Sequence, residues 1–341
     1  MFCDQCEQSF RGAGCVDRGV CGKDPDVEAA QKLLLYGVKG MAAYKAHARR
    51  LGKTDAEVEA FIESALFATM TNVNFDLERV LEMALECGRM NLRAMQLLND
   101  GHVEAFGAPS PAEVVEGIQD GPGILVTGHD LLDLKHVLDA VNGTEIKVYT
   151  HGEMLPAHMY PRLREHPNLA GHYGGAWQKQ RREFERFGGP IVATTNCVLI
   201  PNHTNTYGAR LYTMREVAVP GSRRLTDGQL DQVVAHAREL GALTPSEQTR
   251  QTVGFHYTAI LRHAGAIVDA VKSGAIRRFF VIGGCDGAEP GRNYYSDFAH
   301  GAPQDSVILT LGCGKYRIRD HDYGTVAGLP RLLDMGQCND A

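Results

Sequence analysis

The sequence predicts an α/β multidomain protein, with an N-terminal three-helix bundle followed by two Rossmann-like α/β domains built on parallel sheets. Three observations carry this expectation. Residues 26 to about 100 show helical periodicity with almost no strand signal. Beyond them, short apolar runs alternate with helix-like stretches, which is the grammar of parallel βαβ units. A cysteine-rich opening precedes both. The expected division is a cysteine-rich loop at 1–25, a helical bundle at 26–110, and α/β domains at 111–222 and 223–341.

The bundle rests on three apolar stripes. Val58, Phe61, Ile62, Ala65 and Leu66 fall at i, i+3, i+4, i+7 and i+8; Leu77, Val80, Leu81 and Ala84 repeat the pattern; Leu33, Tyr36, Gly40 and Tyr44 supply a third. Three such helices bury one shared seam most simply as an antiparallel bundle, with Cys87 in its core. Asn99-Asp100-Gly101, Gly107-Ala108-Pro109 and Gly121-Pro122-Gly123 then punctuate the chain as turns and linker. A strand over Gly123–Gly128, a helix over Asp130–Val141 and strands over Ile146–Thr150 and Pro190–Thr195 follow. After Pro220 come helices from Asp227 and Tyr257 and strands at Arg278–Ile282 and Val307–Leu311.

The chain has 341 residues, 44% hydrophobic and 22% charged, which is enough for proper cores and ordinary for a soluble protein. A formal charge of −6 with no basic block argues against nucleic acid as a partner. No apolar run approaches the roughly 18 residues of a membrane span, and Met1-Phe2-Cys3 lacks the regions of a secretory signal. The expected location is cytoplasmic, where thiols stay reduced.

Four of the nine cysteines, Cys3, Cys6, Cys15 and Cys21, read C-x2-C-x8-C-x5-C. Thiolates select zinc, copper(I) or iron–sulfur centres, and a short loop gathers four sulfurs at little closure cost. The x8 gap and the lack of a second C-x2-C count mildly against zinc, but spacing alone leaves it open. Farther along, His129, Glu153, Cys197, Cys285 and Cys313 each follow a predicted strand, where βα folds place ligand sites. Cys338 follows a Gly turn with no obvious strand before it. Any one of these residues alone reads as a core or capping group; together they suit a cluster of mixed S, N and O ligation. Gly283-Gly284 and Gly174-Gly175 match no nucleotide-binding pattern.

The motifs Met1-Phe2-Cys3-Asp4-Gln5-Cys6-Glu7-Gln8, Gly19-Val20-Cys21-Gly22-Lys23, Thr127-Gly128-His129-Asp130 and Thr150-His151-Gly152-Glu153-Met154-Leu155-Pro156-Ala157-His158 recur with Tyr173-Gly174-Gly175-Ala176-Trp177, Thr194-Thr195-Asn196-Cys197, Gly284-Cys285-Asp286-Gly287 and Gly336-Gln337-Cys338-Asn339-Asp340. Over nearly its whole length the chain resembles the hybrid-cluster (prismane, hydroxylamine reductase) proteins. The resemblance implies a cubane [4Fe-4S] cluster on Cys3, Cys6, Cys15 and Cys21. It also implies a hybrid [4Fe-2O-2S]-type cluster on His129, Glu153, Cys197, Cys285, Cys313 and Cys338. Cys285 matches the family cysteine that can carry a persulfide and is the expected catalytic residue. Asp286, Arg292 and Tyr294 are expected near the site from sequence proximity. Two departures stand out: a short form with one helical bundle, and a chain ending soon after Cys338, where the family continues with a further Glu ligand and a nearby Lys. The expectation is therefore a second α/β domain cut short, with the chain a fragment or the hybrid cluster incomplete.

The implied activity is reduction of hydroxylamine to ammonia and water, with electrons supplied by an external donor protein through the cubane. Nitric oxide reduction or protein S-nitrosylation on the same cluster is one alternative. A non-enzymatic electron-transfer or sensor protein is the other. A homodimer, whose partner covers the surface left by the missing bundle, is a further expectation.

Overall fold

Three capped helices follow the N-terminal loop. Pro25 opens α1 (Pro25–Arg50) where its missing N–H is no loss, and the Asp24 side chain accepts from the Asp26 N–H at 2.9 Å. Asp55 caps α2 (Ala56–Ala68) the same way, accepting from Glu57 and Val58; α3 (Leu77–Phe106) completes the set. The computed structural model describes residues 1–9, 12–226 and 229–340. It divides into two compact units, Met1–Ala105 and Phe106–Ala341.

The core of the first unit gathers Ala30, Leu34, Val38, Met41, Val58, Ala65, Val80, Cys87 and Ala94. This corrects the expected seam, because Leu33, Tyr36, Leu66 and Leu81 are exposed. In α1 the neighbouring stripe Ala30, Leu34, Val38, Met41 turns inward instead. Two adjacent apolar stripes of one helix satisfy the same 3.6-residue period, so periodicity does not choose between them. Asn99-Asp100-Gly101 is not a turn either; it lies inside α3. A Cβ at Gly101 would meet Leu51 Cβ at 2.9 Å, so this glycine lets α3 approach the end of α1 closely.

The second unit holds a larger sheet formed by β1 (Ala112–Glu116), β2 (Gly123–Thr127), β3 (Lys147–His151), β4 (Leu169–His172), β5 (Ile191–Ala193), β6 (Leu211–Thr213), β7 (Arg223–Arg224) and β8 (Thr249–Val253). Their order is β7-β6-β5-β2-β3-β4-β1-β8. Every pairing is parallel except β1 with β8. Helices α4 (Leu131–Val141), α5 (Pro161–Arg164), α6 (Gln180–Phe187) and α7 (Leu230–Leu240) intervene. The helix start expected at Asp227 lies outside the described residues. After α8 (Tyr257–Leu261) and α9 (Ala264–Lys272), a smaller parallel sheet forms from β9 (Arg278–Gly283), β10 (Ser306–Leu311) and β13 (Leu332–Asp334), with β10 in the middle. Helix α10 (Tyr294–His300) links β9 to β10, and β11 (Thr325–Val326) with β12 (Leu329–Pro330) makes a small antiparallel pair.

Two features depart from the expected division. Strands β7 and β8, both beyond residue 222, belong to the larger sheet, so the sheets do not separate at 222/223. The larger sheet is also mixed rather than wholly parallel. All five residues of β2 are buried, as a central strand with both faces covered requires.

Candidate metal centres

In an open α/β sheet, ligands bind beyond the carboxyl ends of strands where the strand order reverses. Here β2 lies between β3 and β5, so the chain leaves β2 toward one side first and returns to the other later. His129 follows β2, Glu153 follows β3 and Cys197 follows β5. The smaller sheet has no such reversal, but it too carries its candidate ligands beyond strand carboxyl ends: Cys285 follows β9, Cys313 follows β10 and Cys338 follows β13. The strand before Cys338 is short, which is why it was not read from the sequence.

The structure brings these six residues together. His129, Glu153 and Cys338 offer donor atoms within 4.8 Å of one another. His129, Glu153, Cys197 and Cys313 line one small cavity with Trp177 and Gln180. The Cys338 thiol lies 3.9 Å from Glu153 Oε2 and also hydrogen-bonds the Cys285 sulfur. Backbone contacts hold the parts in place. Gln337 Nε2 donates to the carbonyls of His129 at 3.0 Å and Glu153 at 2.7 Å, and Trp177 Nε1 donates to the Cys285 carbonyl at 2.9 Å. Gln180 donates to the Cys197 carbonyl, a residue held at φ 65°, a left-handed strain of the kind that collects at functional sites. The Thr195 hydroxyl accepts from the His129 backbone N–H at 2.9 Å and meets its Nδ1 at 2.8 Å, fixing the ring.

The electrostatics are those of a site built for cations. Burial, opposed by Lys315 and reinforced by Asp334 and Asp340, pushes the Glu153 carboxyl up to about 7. Its Oε1 is buried without a hydrogen-bond partner among the described residues. Burial, then the neighbouring Cys285 and Glu153, push the Cys197 thiol up to about 11; burial and Glu153 raise Cys313 further still. Between the hydrogen-bonded thiols, the bond from Cys338 lowers Cys285 and raises Cys338. A buried cation stands against this acidity: Lys315, 2.8 Å from Asp334, donates to the Gly336 carbonyl at 2.9 Å. An orphaned carboxylate oxygen beside three thiols that resist ionisation and a fourth, Cys285, that ionises readily fits metal ions that displace protons from their ligands.

The N-terminal loop gathers its donors locally. Cys3 and Cys15 pair across an antiparallel bridge, N–H to carbonyl at 3.0 and 2.8 Å, and both are buried, whereas Cys6 and Cys21 are exposed. The Val20 N–H points at Cys15 Sγ at 3.5 Å, and Lys23 Nζ stands 3.8 Å from Cys3 Sγ. Four free thiols, two of them receiving N–H donors, suit an iron–sulfur cluster, whose potential responds to hydrogen bonds at its sulfurs.

Of the residues expected nearby, Asp286 pairs with Arg317 at 2.6 Å and Arg292 at 3.8 Å, which anchors the Cys285 turn. Tyr294 is exposed and stacks on Phe298 instead. Sequence reasoning gave no role to Gln337, Thr195, Gln180, Lys315 or Tyr316. Tyr316 is buried and its hydroxyl donates to the Gly152 carbonyl at 2.7 Å, tying the Glu153 turn to the Cys313 turn. Gln337 adjoins Cys338 in sequence, whereas Gln180 lies 17 residues from the Cys197 it contacts and carries no such signal. Among the described residues, no helix is long and apolar enough to cross a membrane.

Known proteins are similar to this chain along its whole length. The model of the "Prismane/CO dehydrogenase family" matches residues 1–84 and 76–341. Hydroxylamine reductase of Moorella thermoacetica is 54% identical over 341 residues, 100% of this chain and 79% of that protein. Hydroxylamine reductase of Methanothermobacter thermautotrophicus is 47% identical with the same coverage. The Rhodospirillum rubrum hydroxylamine reductase is longer: 49% identity extends over 96% of this chain but 60% of that protein. Among solved structures, carbon monoxide dehydrogenase IV from Carboxydothermus hydrogenoformans superposes with a TM-score of 0.78, covering 99% of this chain and 76% of that one. At 15% identity that likeness speaks to the fold alone. With the family model matched from end to end and close relatives aligned along its whole length, the chain belongs to the prismane/CO dehydrogenase family.

Proposed function

We propose that this chain is an iron–sulfur oxidoreductase that reduces hydroxylamine with two electrons and two protons to ammonia and water. The observation that carries this reading is the convergence of His129, Glu153, Cys197, Cys285, Cys313 and Cys338 beyond the ends of six parallel strands. The hydroxylamine reductases at 45–54% identity support the choice of substrate. A hybrid iron–sulfur–oxygen cluster held by these six residues would supply an open iron position and electrons for cleaving the N–O bond.

The chain's own residues do the rest. Gln337 and Thr195 fix the backbone and ring of His129, Trp177 and Gln180 hold the cysteine turns, and Lys315 offsets part of the accumulated negative charge. Cys285 is exposed while Cys313 is buried, so Cys285 is the donor best placed to meet an entering substrate. The N-terminal thiols would hold a [4Fe-4S] cluster that takes electrons from an external donor protein.

The test is iron, acid-labile sulfide and zinc per chain on protein purified without oxygen. Two four-iron clusters give about eight iron atoms, the cubane alone about four, and zinc without sulfide overturns the reading. Cys285→Ala should abolish hydroxylamine reduction and keep the N-terminal iron; undiminished turnover would remove Cys285 from the reaction.

A further inference from the structure

We infer that Lys23 sets the reduction potential of the N-terminal iron–sulfur centre through its charge beside Cys3. This rests on the proposal that Cys3, Cys6, Cys15 and Cys21 hold a cluster. Lysine is almost never fully buried unless paired, yet Lys23 is 0% exposed. Its ammonium donates to Glu28 Oε2 at 2.8 Å and points at Cys3 Sγ, 3.8 Å away.

The placement is built rather than incidental. The Lys23 carbonyl accepts from the Gly19 N–H at 2.9 Å, and a Cβ on Gly19 would meet Lys23 Cβ at 2.9 Å, so the stem is wedged within the turn that carries Cys21. Glu28 is itself buried on the first turn of α1, with Lys32 3.4 Å from its other oxygen. A buried ion pair is a weak device for stability, since desolvating both charges cancels most of their attraction. A buried cation aimed at a ligand sulfur has a clearer use. Net charge and hydrogen bonds at the sulfurs set cluster potentials, and a positive charge favours the reduced, more negative state. Lys23 therefore raises the potential, and Glu28 both positions the ammonium and offsets part of its field.

The two residues should move the potential in opposite directions. Lys23→Met removes the cation and the N–H donor and lowers the midpoint; Glu28→Gln removes the countercharge and raises it. The double variant Lys23→Met/Glu28→Gln leaves no unpaired buried charge, so it guards against simple loss of folding, and it should titrate below Glu28→Gln. The measurement is a redox titration of the full chain, purified without oxygen, followed by the EPR signal of the reduced N-terminal cluster, with iron counted on the same samples. Opposite shifts establish the assignment. Iron retained with potentials unmoved, or moved in the same direction by both single substitutions, overturns it while leaving the cluster reading intact. A wild-type N-terminal loop without iron removes the cluster reading and this assignment with it.

Discussion

The two candidate centres are assembled in opposite ways. The N-terminal one closes between Cys3 and Cys21, in a loop braced by one backbone bridge, Lys23 and the start of α1. The other draws its donors from His129 to Cys338 and depends on two parallel sheets to bring six turns to one place. Closing a short loop costs little entropy, so the local site needs few supporting residues. The distributed site inherits its geometry from the whole second unit. Damage to strand ends should therefore remove the distributed centre and spare the local one.

The largest break in that contrast is expected at Gly128. It lies between β2 and His129 at φ 108°, and a Cβ there would collide with Thr194 Oγ1 and meet Thr195 Oγ1 at 2.7 Å and the Thr195 nitrogen at 2.8 Å. Strain in the left-handed region and overpacking together should cost about 2–5 kcal/mol in Gly128→Ala. The proposed hydroxylamine reduction should disappear while the proposed N-terminal cluster keeps its iron, about four atoms. Equal loss of both iron populations would contradict the independence of the two sites.

A second contrast is electrostatic. In the iron-free chain, burial holds the Glu153 carboxyl at about 7, above its ordinary 4.5, and Asp340 is pushed to about 7 in the same way. A carboxyl whose folded pKa is raised binds its proton more tightly in the folded state. Its contribution is complete below the unfolded value and is lost as pH rises through the folded one, so between 4.5 and 7 the iron-free fold should weaken. Buried His158 and His256, both lowered to about 4, act in the opposite sense, losing stability as pH falls. The difference between wild type and Glu153→Gln isolates the carboxyl. It should approach about 3 kcal/mol at the upper end of the window, read from urea midpoints across it. Parallel pH profiles for the two proteins would show that Glu153 is solvated after all.

The same contrast explains what the sequence disclosed. A local metal loop is legible because spacing along the chain is nearly spacing in space. The strand-end ligands were legible for a related reason: an apolar run closed by a glycine turn, as at Val126-Thr127-Gly128-His129, marks the end of a buried strand. Strand order was not legible, because it is decided by pairing between distant segments. Short strands such as β6, β7 and β13 carry too few residues to show alternation. The bundle's existence was readable from its period, but the buried face of α1 was not, since Leu33 and Leu34 belong to adjacent stripes and only packing selects Leu34. Gln337, Thr195 and Tyr316 escaped because their roles lie in hydrogen bonds to residues far away in sequence.

Tyr316 offers a finer probe of how the two sheets share one centre. Its hydroxyl donates to the Gly152 carbonyl and meets His172 Nε2 at 3.1 Å, and its ring lies beneath the Arg319 guanidinium at 4.3 Å. Tyr316→Phe removes one oxygen and leaves a buried carbonyl and imidazole unmatched, which should cost about 1–3 kcal/mol. The spectrum of the distributed cluster should shift as the Glu153 turn loosens against the Cys313 turn. An N-terminal signal that moved equally would mean the perturbation is not local to that junction.

The smallest expected effect falls in the first unit and tests the contrast from the other side. Asp55 caps α2 by accepting from the Glu57 and Val58 N–H groups at 2.9 and 3.2 Å, and it receives Arg93 of α3 at 2.6 Å. Removing a cap of this kind costs about 1 kcal/mol, and the partly exposed ion pair adds little. Asp55→Ala should therefore speed amide exchange across α2, where the cap holds the first turn, without changing exchange in β2, β3 and β5. Those strands are protected by their own ladder, and the turns that carry His129, Glu153 and Cys197 depend on that ladder rather than on helix capping. If exchange in the strands rose in step with α2, the two units would open as one cooperative body, and the distributed centre would owe its geometry to the helices as well as to the sheets.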